Sequence, residues 1–95
     1  MATELNVGPR EAVEIAKKYA REVVDQSQLV NLRLEEVELS GAMWRVTLSW
    51  LDSDRPGGAL ASALNVRVPR QYKIFEINQS SGKVRSMKIR KLNDE

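Results

Sequence analysis

Apolar positions near the start of the chain recur at steps of three and four residues. They are Ala12, Val13, Ala16, Tyr19, Ala20, Val23 and Val24. Charged side chains fill the positions between them, and Pro9 suits a first helical turn because its missing N–H is not needed there. The pattern predicts an amphipathic helix over about residues 9–25, with a slim alanine stripe that lets a sheet approach closely.

The apolar period then shortens to two, which is typical of strands. The clearest strand covers about residues 43–51 and carries Trp44, Val46, Leu48 and Trp50 on one face. Two indoles and two aliphatic side chains are a large share of the apolar area in a short chain. We therefore predict that this face lies against the helix.

The strand before it changes phase in its middle. The apolar side chains up to Leu34 have one parity, whereas Val37 and Leu39 have the other. One extra residue in a strand reverses the face that later side chains take, so the slip at Glu35 and Glu36 predicts a β-bulge.

Regular spacing stops after residue 51, and the breaker-rich residues 52–65 are predicted to form a long loop. In the hairpin that follows, Gly82 is placed to take a positive φ. The predicted strands cover about residues 30–39, 43–51, 66–78 and 83–91. One helix and four strands in a single domain of 95 residues predict an α+β fold, with the N-terminal helix packed on a four-stranded antiparallel meander.

Three segments, in this order, carry a resemblance to a known family. They are Glu11-Ala12-Val13-Glu14-Ile15-Ala16, the Trp-centred Met43-Trp44-Arg45-Val46, and the hairpin from Lys73 to Val84. This order resembles PepSY-like domains, whose last hairpin reads apolar-x-apolar-Asp-x-x-x-Gly-x-Val; Asn78 stands here in place of the acid. The resemblance implies a cystatin-like fold and a non-catalytic binding or inhibitory role, and it supplies no site residues.

The chain contains no histidine and no cysteine. Ser–His and Cys–His nucleophile pairs are therefore excluded, as are thiolate and imidazole ligands for metals. We expect a protein that is not an enzyme and needs no cofactor. The longest apolar run is too short for a membrane span, and the first ten residues do not form a signal segment, so a cytoplasmic protein without membrane contact is predicted.

Carboxylates offer the remaining candidate chemistry. Asp52-Ser53-Asp54 supplies too few oxygen ligands for a calcium loop and suits a turn better, so no metal site is predicted. Glu35, Glu36 and Glu38 are interpreted as a solvated strand surface rather than an acid–base pair, since nothing in the sequence indicates a cleft. A carboxylate enzyme is the least favoured hypothesis.

Charge is unevenly distributed along the chain. Residues 1–55 hold seven Lys/Arg and ten Asp/Glu, whereas residues 56–95 hold eight and three. The basic side chains of the hairpin indicate a surface that could bind nucleic acid, with Tyr72 available for stacking. These basic side chains are Lys73, Arg85, Lys88, Arg90 and Lys91. The alternative is that lysines on an edge strand block aggregation.

The side of the sheet away from the helix is the third candidate surface. Leu51, Tyr72 and Ile74 are expected there, and apolar groups on an open face would mark a contact with a partner protein or with a second copy of the chain. The alternative is that Ala59–Leu64 folds back over them. The full predicted contact set adds the loop residues Pro56, Gly57, Gly58 and Leu60. A small protein-binding or regulatory module is therefore the favoured function, and a nucleic-acid-binding accessory protein is the alternative.

Overall fold

The computed structural model describes residues 7–51 and 70–90, and the fold is stated for those two ranges. One helix, α1 (Pro9–Val23), is followed by a 3-10 turn at Gln26–Gln28 and by four strands. The strands are β1 (Arg33–Ser40), β2 (Met43–Leu51), β3 (Arg70–Asn78) and β4 (Val84–Ile89). They form one antiparallel sheet in the order β1-β2-β3-β4, which confirms the α+β meander. The predicted loop 52–65 and residues 66–69 lie outside the described ranges.

The helix begins as predicted and ends two residues early. The Glu11 carboxylate accepts a hydrogen bond from the Gly8 backbone N–H at 2.9 Å, which satisfies a donor at the helix start. Val24 adopts extended torsion angles, and Asp25 then caps the 3-10 turn. Asn31 has a φ of 59°, a left-handed conformation that a strand does not accommodate. The first strand therefore begins at Arg33 rather than near residue 30.

The core lies between α1 and one face of the sheet. Ala12, Ala16 and Ala20 have no exposed surface, so the alanine stripe lets the helix approach the sheet closely. The predicted tryptophan face is confirmed as the core face. Its buried side chains are Trp44, Val46, Leu48 and Trp50 from β2, with Phe75 and Ile77 from β3.

The segment before the helix contacts both the sheet and the hairpin between β3 and β4. The Trp44 indole N–H donates to the Val7 carbonyl at 2.8 Å. Gly82 has the predicted positive φ, 76°, and a Cβ there would lie 3.3 Å from Ile15 and 3.4 Å from Val7. Asn78 Oδ1 accepts from two backbone amides of the hairpin loop at 2.8 and 3.0 Å, so the amide oxygen supplies the acceptor that an aspartate would offer.

Both edge strands are interrupted by a bulge. The β1 register shifts between Leu34 and Glu36, which confirms the bulge predicted from the phase slip. A second shift, which the sequence analysis did not predict, leaves Arg85 as the extra residue between Val84 and Ser86 of β4. Bulges in edge strands disturb the ladder that a further strand would need, so both edges are poorly suited to pairing with another chain.

Candidate functional site

The sheet face opposite α1, named the outer face here, is rich in charged side chains. Cross-strand pairing and side-chain contacts place the following residues on it: Arg33, Glu35, Glu36, Glu38, Met43, Arg45, Thr47, Ser49, Leu51, Arg70, Tyr72, Ile74, Glu76, Ser86, Lys88 and Arg90. The β1 bulge is the reason that two consecutive glutamates, Glu35 and Glu36, share this face. Glu35 accepts hydrogen bonds from Ser49 and Arg33, and Glu36 accepts one from Arg90.

Arg70 of β3 lies across β2 toward β1. Its side chain is only 10% exposed, and its Nε–H donates to Ser49 Oγ at 2.9 Å. The Ser49 hydroxyl in turn donates to Glu35 Oε2 at 2.6 Å. The other end of the guanidinium donates to the carbonyls of Ser49 and Asn31. This arginine therefore ties three strands and the segment before β1 together.

Hydrogen bonds, neighbouring charges and burial shift the pKa values of the ionisable groups in this cluster. The hydrogen bond from the Ser49 hydroxyl, and then that from Arg33, lower the pKa of Glu35 below its ordinary value. Burial, followed by repulsion from Arg33, lowers the pKa of Arg70, while the hydrogen bond to Glu35 raises the pKa of Arg33. A general acid working near neutral pH needs a raised carboxyl pKa. Glu35 is shifted in the opposite direction and stays a carboxylate.

Arg90 makes a second bridge from the end of β4. Its backbone N–H donates to the Tyr72 carbonyl at 2.9 Å, and its Nη1 donates to Glu36 at 2.9 Å and to Thr47 Oγ1 at 3.4 Å. Thr47 is 3% exposed and Ser49 is fully buried. We call Arg70 and Arg90 the arginine bridges, because their guanidinium groups contact the outer side of the inner strand β2.

A groove of about 190 Å³ lies beside the second bridge. Its lining residues are Glu36, Glu38, Arg45, Thr47, Ile74 and Arg90. Arg45 Nη1 is 3.7 Å from Glu38 Oε2, and Arg45 Nε is buried with no hydrogen-bond partner among the described residues. The sequence predicts a plain solvated surface for Glu36 and Glu38, whereas the structure places both at the wall of this groove.

The predicted partner-contact residues lie partly on this face. Leu51, Tyr72 and Ile74 belong to the outer face as predicted, and each is half-buried. They do not stand alone there, since charged side chains such as Arg70 and Lys88 flank them. The loop members of that set, Pro56, Gly57, Gly58 and Leu60, lie outside the described residues, as does the segment Ala59–Leu64.

The predicted basic surface is divided. Lys73 is directly paired with Leu48 and so faces the helix side, whereas Lys88 pairs with Ile74 on the outer face. Arg85 is exposed at the β4 bulge, and Arg90 is bound to Glu36. Lys91 lies outside the described residues. The side chains that the sequence grouped together thus occupy more than one side of the sheet.

Comparison with known proteins gives no further assignment. No family model, curated protein or solved structure matches the chain. Within residues 7–51 and 70–90, no three acidic side chains converge in a way that would hold a metal ion, and Asp52 and Asp54 lie outside those ranges. The one described helix lacks the length and apolar character that crossing a bilayer requires.

Sequence reasoning named Arg90 only as a nucleic-acid contact, and it missed the Arg70 bridge and the residues of β2 that both bridges contact. Arg70, Arg45, Thr47 and Ser49 were not among the predicted site residues. Two signals for them were present: adjacent acids at a strand phase slip, and small hydroxyl side chains alternating with the core side chains of β2. Small residues at those positions leave room for long side chains from neighbouring strands.

Proposed function

We propose that this chain is a small non-enzymatic protein-binding module, a regulator of a larger partner, and that it binds through the outer face. The observation that carries the proposal is the pair of arginine bridges. Their guanidinium groups are held by hydrogen bonds to β1 and β2. Side chains that are already ordered lose less conformational entropy when a partner docks.

The composition of the outer face supports the same conclusion. Arginine and tyrosine are enriched in protein interfaces and at their energetic centres. Here Arg45 and Arg90 are partly exposed, and half-buried Tyr72 and Ile74 lie among them. A partner would therefore meet apolar surface set within a pattern of oriented charges. The resemblance to PepSY-like domains also implies a binding role.

The charge pattern favours a protein over a nucleic acid. Phosphate backbones are bound by surfaces of predominantly positive charge. On the outer face, Glu35, Glu36 and Glu38 stand among the arginines, so a uniformly negative chain would be repelled and attracted within the same area. A protein surface can present both signs in a matching arrangement.

Site-specific photo-crosslinking tests the proposal. Tyr72 is replaced by benzoylphenylalanine, and the matched control carries the same group at Lys18 on the exposed side of α1. We expect a discrete protein adduct from the Tyr72 position in the native cells and none from Lys18. A protein adduct from Lys18 with none from Tyr72 would overturn the proposal.

The mass and nuclease sensitivity of the adduct identify the partner class. An adduct of twice the chain mass would make a second copy of this chain the occupant of the outer face. A nuclease-sensitive adduct would instead support the alternative, a nucleic-acid-binding accessory protein.

A further inference from the structure

We propose that a second copy of this chain covers the outer face when no other partner is bound. The two copies are related by a twofold axis that runs parallel to the strands, between β2 and β3. The observation that points to this arrangement is the order of charges across the sheet, which complements its own reverse about that axis. The inference goes beyond the proposed function, because a larger partner must then displace the second copy.

Two rows of directly paired residues cross the middle of the outer face. Read from β1 to β4, one row is Glu38, Arg45, Glu76 and Ser86, and the next is Glu36, Thr47, Ile74 and Lys88. The charges of the first row are negative, positive, negative and neutral, and those of the second are negative, neutral, neutral and positive. The proposed axis exchanges β1 with β4 and β2 with β3, so each row lies on its own reverse.

The reversed rows bring opposite charges together. Arg45 of one copy faces Glu76 of the other. Glu36 faces Lys88 in the same way, and the symmetry repeats both contacts. A twofold axis perpendicular to the strands would instead lay β1 on β1 and β4 on β4, so that glutamates would meet glutamates and bases would meet bases. Like charges placed together disfavour association, and the charge order therefore selects the axis parallel to the strands.

Two of these charged side chains lack an ionic partner within the part of the chain that the structure describes. They are Glu76 and Lys88. Glu76 is half-buried and accepts a hydrogen bond from the Ser86 hydroxyl, whereas Lys88 is exposed. In the twofold arrangement Glu76 gains a guanidinium and Lys88 gains a carboxylate. The second copy thus supplies both missing counter-charges.

The uncharged positions beside the axis also fit. Ile74 of one copy lies over Thr47 of the other, where a groove of about 190 Å³ opens. Thr47 is small and only 3% exposed, so an isoleucine side chain above it meets the groove and not a projecting group. An apolar contact at the axis is therefore flanked by opposite charges on both sides.

The size of the outer face predicts a weak dimer. Strands of six to nine residues, spaced about 4.8 Å apart, give this face roughly 400–600 Å². A standard interface buries about 800 Å² on each partner. Pairing through the sheet edges is disfavoured by the bulges in β1 and β4. We therefore expect an association through the outer face that is weak enough for a larger partner to displace.

Sedimentation equilibrium of the purified full chain tests the inference. At low salt the average mass should rise toward that of two chains as the concentration increases. Added salt should return it toward that of one chain, because it screens the facing charges. The mass of one chain at every concentration and salt would overturn the inference. That sample contains no other protein, so the same result would leave the proposed function to the crosslinking in cells.

Reciprocal charge reversals test the axis. Glu36→Lys alone and Lys88→Glu alone each place like charges together at both symmetric contacts, so each should weaken the dimer about tenfold or more. A mixture of the two variants places opposite charges together at both contacts and should associate again. Lys18→Glu, on the exposed side of α1, is the matched control and should associate as the parent chain does.

A second reciprocal pair keeps the test independent of one variant's folding. Glu36→Lys also removes the contact with Arg90, so circular dichroism should first show that it folds. If it does not, Arg45→Glu and Glu76→Arg are used in the same way, alone and mixed. Single variants that associate as strongly as the parent, or a mixture that associates no more than its components, would overturn the inference.

Discussion

The two sides of β2 are both buried, but by different physics. On the helix side, Val46 and Leu48 are covered by apolar groups of α1 and β3. On the outer side, Thr47 and Ser49 are just as inaccessible, at 3% and 0% exposure, and the groups that contact them there include the arginine bridges. Apolar burial is non-directional, whereas the outer side depends on particular donors and acceptors.

This difference indicates which side of the sheet is available to another molecule. The helix side needs only volume and apolarity, and it presents little to another molecule because α1 covers it. The outer side needs specific hydrogen bonds, and the same charged groups that cover β2 remain partly accessible, as Arg90 and Glu36 show. The side chains that cover β2 on the outer face can therefore also contact a partner. Mutations on the two sides should differ in how much stability they remove and in how that loss depends on pH, and only those on the outer face should alter partner binding.

The largest effect is expected on the helix side. Phe75 is fully buried and its ring meets Tyr19 edge-on at a centroid distance of 6.1 Å. Phe75→Ala should lower the free energy of unfolding by about 3–5 kcal/mol because it removes apolar contacts and leaves a cavity. Urea denaturation followed by tryptophan fluorescence measures this. A loss no larger than that of an exposed-site variant would show that the helix side does not form the core.

Loss of the first arginine bridge should have the next largest effect. Arg70→Ala leaves acceptors of Ser49 and Asn31 without their donor, which predicts a loss of about 1–3 kcal/mol. Arg33→Ala is the matched control, because Arg33 is 53% exposed and an exposed ion pair contributes little to stability. Equal effects in the same urea experiment would contradict the claim that Arg70 covers β2.

A glycine pair tests how closely the hairpin packs on the helix side. Gly82→Ala forces an L side chain into a left-handed conformation, which costs about 1–2 kcal/mol, and it adds contact with Ile15 and Val7. Gly41 also has a positive φ, 63°, but a Cβ there meets no atom within 4 Å. Thermal unfolding should therefore show Gly82→Ala to be more destabilising than Gly41→Ala. The reverse order would show that the hairpin is not packed against α1.

The smallest effect is a pH signature that belongs to the outer side alone. The hydrogen bond from Ser49, with that from Arg33, holds the pKa of Glu35 below its unfolded value. The resulting stabilisation is fully present above the ordinary glutamate pKa and is lost as the pH falls through the lower, folded value. Glu35→Gln should therefore be less stable than the parent near neutral pH, and the difference should vanish in acid. Phe75→Leu, on the helix side, should lower stability by a similar amount at every pH.

Chemical denaturation across this pH range checks both variants. A constant offset between Glu35→Gln and the parent down to strongly acidic pH would contradict the assigned pairing of Glu35 in the folded state.

The helix side was more predictable from the sequence than the outer side. The alanine stripe, the tryptophan face, the β1 bulge and Gly82 all follow from local periodicity or from one residue's torsional freedom. The arginine bridges depend on contacts such as Arg90 with Glu36, residues 54 positions apart in the chain. No local pattern specifies which strand a long side chain will cross. The groove was missed for the same reason, since its walls come from all four strands or their ends.

Hydroxyl-radical footprinting of the chain with its captured partner distinguishes binding through the outer face from binding through the helix side, because matched residue types lie on the two sides of the sheet. Met43 and Tyr72 belong to the outer face, whereas Met87 and Tyr19 pack on the helix side. Binding through the outer face predicts slower oxidation of Met43 and Tyr72, with Met87 and Tyr19 unchanged. Protection of Met87 and Tyr19, with Met43 and Tyr72 oxidised as fast as in the free chain, would contradict it.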